Sequence, residues 1–345
     1  MSTPAVDAFL LLSFGGPNGP DEVMPFLRQV TSGRGVPDER LAEVAEHYRH
    51  YGGISPITAQ NQSLMATIDA EFVRRGIELP TYFGNRNWHP FLTATARDMA
   101  ADGISHALVL STSATGSYSG CRQYREDLAR ATTELDGAAP RFTKLRHYFD
   151  HPGFIVANVD TVRAALAELP ESERGDARLV FTAHSIPVSM NETAGPSGGL
   201  YLAQHQATAR LVAEGVRGAG AEYDLVWQSR SGPPQVAWLE PDINDHLRSL
   251  AELGVRAVVV APTGFISDHL EVAWDLDEEA RATAAELGLR LIRAATAGTN
   301  AAFVSGIVDL VEEQLNGRAA ESLSSLGLCG VDCPSDCCPA PTRSL

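Results

Sequence analysis

VRAVVVAPTGFISDHLEVAWDLDEE, residues 255–279, contains a complete strand, turn and helix start. The β-branched run at 255–261 suits a strand buried on both faces. Pro262 and Gly264 break it, and an amphipathic pattern runs from 269 to 286. Glu271, Asp275 and Glu279 are four residues apart, so a helix stacks them as one acidic ridge. Three carboxylates along one ridge repel one another. Such a ridge suits a site that handles cations or protons; the alternative is an ordinary solvated acidic face. Asp268 reads as an N-cap. His269, two residues from Glu271, points elsewhere on a helix and reads as supporting structure.

Outward from this stretch, strand-like runs alternate with helical ones. The strands are predicted at 7–13, 79–84, 106–111, 142–148, 178–183, 223–228, 255–261 and 289–293. Helical patterns lie at 58–75, 89–101, 119–135, 151–168, 199–217, 240–253 and 269–286, with a last helix near 300–316. This alternation predicts an α/β fold with parallel, doubly wound sheets covered by helices. The pattern runs twice, with a break near 140–151. The predicted organisation is therefore 1–150, 151–299, a closing helix at 300–316 and a Cys-rich tail at 317–345. In such sheets ligands bind beyond the carboxyl ends of the strands. The residues that fall there are 13–17, 184–187, 228–232 and 262–271.

The 345 residues carry a formal charge of −16, which disfavours nucleic acid and favours the approach of cations. No apolar run is long enough for a membrane span, and MSTPAVDAFLLLSFGG lacks a basic leader, so a soluble cytoplasmic protein is expected. Disulfides are then disfavoured. Cys121 stands alone, while Cys329, Cys333, Cys337 and Cys338 crowd the tail as C-x3-C-x3-C-C. The C-x2-C pairs usual for zinc are absent. Four thiolates can hold an iron–sulfur cluster. Adjacent Cys337 and Cys338 do not easily reach one cluster together, so a four-ligand site would borrow Cys121. The alternative is a loose tail of unligated thiols.

His184 ends the apolar run LVFTA and precedes Ile186-Pro187, which places it for acid–base work or metal ligation; a hydrogen-bonded structural histidine is the plain alternative. The turn Phe14-Gly15-Gly16-Pro17 lacks both phosphate-loop patterns. Gly52-Gly53-Ile54-Ser55-Pro56 reads as a turn opening a helix. Trp227, Trp238 and Trp274 are readable as core.

LLLSFGGP (10–17), HYGGISPI (50–57), LVFTAHSIP (179–187), WQSRSGPPQVAWLEPD (227–242) and PTGFISDHLEV (262–272) together resemble the ferrochelatases, which insert Fe2+ into a porphyrin in haem synthesis. The resemblance spans residues 6 to about 316. It implies two similar Rossmann-like domains with a porphyrin cleft between them. It implies catalysis and metal handling by His184 and Glu271, with Asp275 and Glu279 as the metal path. Ser55 and Tyr124 match porphyrin-contacting positions. Phe14 stands where some relatives carry a tyrosine near the metal, so phenolate ligation is absent here.

The segment after the first strand, GPNGPDEVMPFLRQVTSGRGVP, is too polar for the apolar lip of membrane-associated relatives. The tail cysteines and Ser119-Gly120-Cys121 resemble actinobacterial members with a 2Fe–2S cluster, held by four of the five cysteines. Those members imply coproporphyrin III and ferrous iron as substrates. Arg28, Arg34 and Arg125 are expected to meet its propionates. Transient contact with neighbouring haem-pathway enzymes belongs to the same implication, with no nucleic acid and no membrane insertion. The rival activities are iron insertion into protoporphyrin IX and cobalt insertion into a sirohydrochlorin-type ring. A reading of another class is an iron–sulfur sensor or haem carrier on a chelatase fold.

Overall fold

The computed structural model describes residues 5–341, apart from Arg34, Pro233, Asp332 and Ser335. The chain divides into two compact units. The first comprises residues 1–112, 124–145 and 267–270, and the second 113–123, 146–266 and 271–345.

In the first unit, β1 (Ala8–Ser13), β2 (Thr81–Asn85), β3 (His106–Ser111) and β4 (Arg141–Lys144) form a parallel sheet in the order β2-β1-β3-β4. Every residue of β1 and of β3 is buried, as expected of strands covered on both faces. Asn61 ties helix Ile57–Arg75 to the end of β1 through Ser13, and accepts from Ser267.

The second unit repeats the arrangement. β5 (Arg178–His184), β6 (Asp224–Gln228), β7 (Ala257–Ala261) and β8 (Arg290–Arg293) are parallel in the order β6-β5-β7-β8. Alternate residues feed two cores. Leu179, Phe181, Ala257, Val259 and Ala261 pack with helices Pro152–Glu168 and Leu200–Arg217. Val180, Val226, Val258 and Val260 pack with helix Ile243–Glu252 and with Val272, Leu276 and Ala280. This period of two is what a doubly covered strand requires.

Several expectations are corrected. The division does not fall at 150. The loop 113–123 belongs to the second unit, where Gly116 N–H donates to Gln204 Oε1 at 2.7 Å. The closing helix, Ala301–Leu315, is no separate piece: it packs on Pro152–Glu168 so closely that a Cβ on Gly153 would lie 2.3 Å from the Ala302 carbonyl oxygen. Beyond that helix the tail is fastened to residues 146–150 rather than loose. Arg146 donates to the Glu321 carbonyl, Asp150 accepts from the hydroxyls of Ser322 and Ser324, and His147 N–H donates to the Cys329 carbonyl. The predicted strand 142–148 is shorter: Leu145 N–H still donates to Val109 in β3, but beyond it the buried run spends its backbone on loops, with His147 N–H donating to the Cys329 carbonyl and Tyr148 N–H to that of Ala114.

Candidate active site

In the second sheet the chain moves from β5 to β6 on one side, then returns to place β7 on the other. The switch lies at the carboxyl ends of β5 and β7, where open α/β sheets bind ligands. His184 is the last residue of β5, and Glu271 follows the turn after β7. Their side chains meet there, with His184 Nε2 at 3.5 Å from Glu271 Oε2. About a third of the His184 side chain and half of Glu271 are exposed, at 35% and 48%.

The peptide after His184 is held from several sides. Ser185 N–H donates to the Gln228 carbonyl at 2.8 Å, and the Tyr201 hydroxyl donates to the His184 carbonyl at 2.8 Å. Tyr201 is buried and stacked on Trp227, and burial pushes its phenol pKa up, keeping it a neutral donor. His184 Nδ1 sits 2.5 Å from the Ser185 carbonyl. A carbonyl only accepts, so Nδ1 carries the proton and Nε2 of the neutral ring keeps its lone pair toward Glu271. Desolvation opposes protonation of His184. The Glu271 hydrogen bond and charge, the Ser185 carbonyl and the Asp275 charge outweigh it, so the pKa lies above the ordinary histidine value. The pair can therefore take a proton at Nε2 and stabilise the resulting imidazolium. As two donors, it can also engage a metal while leaving other positions open.

The acidic ridge sits on an unusual helix. Leu270–Val272 is α-helical, Ala273–Ala280 is π-helical, and Arg281–Glu286 is α-helical again. Such widened turns are rare and concentrate at functional sites. Asp268 is paired reciprocally with Gln60, and the helix begins at Leu270, two residues later. Asp275 accepts hydrogen bonds from Ser229 and Gln228. Glu279, exposed, accepts from Trp274 Nε1 at 2.8 Å.

Burial raises the pKa of Asp275 most, the Ser229 hydrogen bond opposes this, and the charges of Glu271 and Glu279 raise it again, to about 7. A carboxyl with its pKa raised from 3.8 destabilises the folded state as pH climbs, because the unfolded chain ionises first. The stability is intact below pH 3.8 and is lost as pH rises through 7. Asp275→Asn is accordingly expected to be more stable than the parent at pH 8, by roughly 2 kcal/mol after allowing for partial solvation. In urea unfolding the gap should close near pH 4; a pH-independent gap would show that ionisation is not its cause.

The remaining expected contacts lie in the first unit. Phe14 is half-buried and packs edge-on to Phe26. Ser55 is 3% exposed, against Gly16, where an added Cβ would lie 2.7 Å from Ser55 Cβ. Tyr124 is 4% exposed, inside the core with Leu10 and Leu12, and the Arg86 guanidinium covers its ring at 4.5 Å. Its packing in the core fixes where the Tyr124 ring stands. Arg28 is paired with Asp38 at 2.7 Å on the surface. Arg125 is half-buried, and Arg34 lies outside the described residues.

All five cysteines are free thiols. Cys337 and Cys338 are buried with their sulfurs 3.8 Å apart. Cys338 has φ +52°, a left-handed conformation that re-aims its side chain. Burial first, then Cys338 and Cys333, push the Cys337 thiol pKa up. Burial also raises Cys338, with Cys121 and Cys333 adding to it and the Gly195 N–H, 3.1 Å from its sulfur, opposing it. Arg122, beside Cys121, donates to the carbonyls of Pro334 and Cys337. Cys329 is engaged elsewhere, 3.2 Å from His147 Nδ1 and 3.3 Å from Gln204 Nε2. Among the described residues no group of three or more His, Cys, Asp or Glu side chains is arranged to hold a single metal ion.

The sequence marks neither Thr182 nor Tyr201 for a role at the site, and marks Gln228 and Ser229 by their place alone. Gln228 and Ser229 stood at a strand end in the WQSRSG stretch, which was the available signal. Nothing local to Tyr201 marks it, since its partner lies 17 residues away in sequence.

The ferrochelatase family model matches residues 6–315. A coproporphyrin III ferrochelatase of Nocardia farcinica is 56% identical, covering 98% of this chain and 98% of its own length. One of Streptomyces griseus is 53% identical, covering 97% and 93%. Among solved structures, the sirohydrochlorin chelatase SirB of Bacillus subtilis subspecies spizizenii, in complex with cobalt, aligns at a TM-score of 0.51 and 10% identity, over 90% of this chain and 96% of SirB; this is a likeness of fold. The architecture is thus that of the α/β chelatases. Within that class, the chain belongs to the ferrochelatase family.

Proposed function

We propose that this protein inserts Fe2+ into coproporphyrin III, giving Fe-coproporphyrin III (coproheme) in haem biosynthesis. The observation that carries the reading is His184 Nε2 facing Glu271 at the switch point of the second sheet, with Nδ1 already committed to Ser185. Metallation releases two pyrrole protons for each Fe2+ that enters. His184 Nε2 accepts one, and Glu271 stabilises the imidazolium or takes the second. Asp275 and Glu279 continue the acidic path along the same helix and hand the cation inward. A ring bent by peripheral binding exposes its nitrogen lone pairs, so binding energy is spent on reaching the transition state.

The substrate assignment is supported by relatives at 50–56% identity that carry the name coproporphyrin III ferrochelatase. A surface-borne porphyrin is disfavoured, since helix Val23–Val30 turns Val23, Phe26 and Leu27 inward. No helix among the described residues is long and apolar enough to cross a membrane. A cytoplasmic setting fits the free thiols. Initial rates with coproporphyrin III and with protoporphyrin IX test the reading: the first should exceed the second by about tenfold or more, an energy difference of about 1.4 kcal/mol. Equal rates would overturn the substrate assignment.

We propose further that four of the cysteines hold a 2Fe–2S cluster. Two thiolates on one tetrahedral centre, with bonds of about 2.3 Å, lie about 3.8 Å apart. Cys337 and Cys338 have that spacing, and Cys121 and Cys333 are their electrostatic neighbours. Burial holds the Cys337 and Cys338 thiols toward their neutral forms unless a cation compensates them. A binuclear cluster asks for two thiolates per iron, not three or more around one ion. When bound, the cluster supplies one-electron redox chemistry; the insertion steps above do not use it. Cys121, Cys333, Cys337 and Cys338 would be the ligands, and Cys329, held by His147, would not. Cys121→Ser should purify anaerobically without the visible absorbance and sulfide of the parent, while Cys329→Ser should keep both. Loss in the second and retention in the first would reverse the assignment.

A further inference from the structure

The carboxylate of Asp275 is fastened through one oxygen only. Ser229 Oγ and Gln228 Nε2 both donate to Oδ2, Gln228 at 3.4 Å, and among the described residues Oδ1 has no hydrogen-bond or ion-pair partner. Behind Gln228 stands Thr182, whose hydroxyl donates to Gln228 Oε1 at 2.9 Å. Thr182 and Gln228 are fully buried, at 0% and 1% exposed, so neither end of the amide is satisfied by bulk water. The amide has one good orientation. With Nε2 turned to the carboxylate, Oε1 meets a hydroxyl donor; flipped, Oε1 would face the carboxylate oxygen, acceptor against acceptor.

The backbone shows what is given up for the second donor. Ser229 has φ +59°, a conformation that favours glycine and that side-chain-bearing residues seldom adopt. The register is also informative. Thr182 and His184 are two residues apart on β5 and share a face, and His184 is paired with Gln228 across to β6. The elements that place the His184 imidazole thus also place the donors to Asp275.

We propose that Thr182, Gln228 and Ser229 are positioning residues that clamp Asp275 by Oδ2 and leave Oδ1 to meet the incoming ferrous ion. The inference rests on the reading of Asp275 as part of the cation route. Its effect is on handing over the metal, not on holding the porphyrin.

Steady-state insertion of Fe2+ into coproporphyrin III, with each substrate varied in turn, is the test. Thr182→Val leaves Gln228 Oε1 without its donor. The KM for iron is expected to rise by about five- to tenfold, the size of one lost hydrogen bond near a charge, while the KM for coproporphyrin III stays within about twofold. Thr182→Ser restores the hydroxyl and should restore the iron KM. Ser229→Gly removes the other donor and the backbone strain together. It should raise the iron KM with no fall in melting temperature, which a purely structural serine would not do.

An iron KM within about twofold of the parent in both Thr182→Val and Ser229→Gly overturns the inference. Equal rises in both substrates' KM values also overturn it, as they would report general disorder of the site. Asp275→Asn separates the two levels. If it raises the iron KM while the positioning variants do not, the clamp is wrong and the cation route stands. If it leaves the iron KM unchanged, the cation route and the inference fall together.

Discussion

His184→Ala is expected to lower kcat for iron insertion by about 10²–10⁴-fold, the range for losing a positioned proton acceptor. The side chain is not a major packing element, since it is 35% exposed, and the peptide behind it is held by Tyr201 and by the Ser185–Gln228 hydrogen bond. The variant should therefore fold, and its defect should lie in turnover more than in porphyrin binding. Glu271 remains in place and can still attract the cation, but it no longer has an imidazolium to stabilise. His184→Asn is the informative companion: it retains hydrogen-bonding capacity without a usable base and should be nearly as slow. A His184→Ala enzyme within about threefold of the parent rate would remove the proton-acceptor role altogether.

The second large effect falls on stability, far from the reacting atoms in sequence. Arg146 forms a two-pronged ion pair with Glu313, both contacts at 2.8 Å, with side chains only 4% and 7% exposed. Its remaining donors go to the carbonyls of His147 and Glu321. Arg146→Ala leaves the Glu313 carboxylate buried without its counter-charge, and the expected loss is about 3–5 kcal/mol in urea unfolding. Arg146→Lys should recover only part, because an ammonium cannot reproduce the planar fork. Replacing both partners, as Arg146→Met with Glu313→Leu, should recover most of it, since desolvating an ion pair nearly cancels its attraction. A loss below about 1 kcal/mol in Arg146→Ala would mean that water reaches Glu313 and that the pair is ornamental.

The two-sheet plan was legible because parallel strands covered on both faces leave unbroken apolar runs. HALVLS at 106–111 coincides with β3, and VRAVVVA contains β7. Its limits are equally physical. LRHYFD at 145–150 is as buried as a strand, but beyond Leu145 its backbone N–H groups turn to loop and tail, which burial patterning cannot distinguish from a sheet. The pairing of His184 with Glu271 followed from reading both as strand-end residues together with the family resemblance. The π-helical turns, the left-handed Ser229 and Cys338, and the clamp on Asp275 depend on long-range contacts and leave no periodic trace.

The fastening of residues 313–329 onto residues 146–150 has a consequence for how the chain matures. During synthesis the loop bearing Arg146 leaves the ribosome more than 160 residues ahead of Glu313. Domains otherwise assemble as they emerge, N-terminal parts first. Here the second unit must keep a cationic socket hydrated and open until its counterpart arrives. A nascent chain short of Glu313 leaves that socket without its counter-charge, so closure around Arg146 waits for helix Ala301–Leu315.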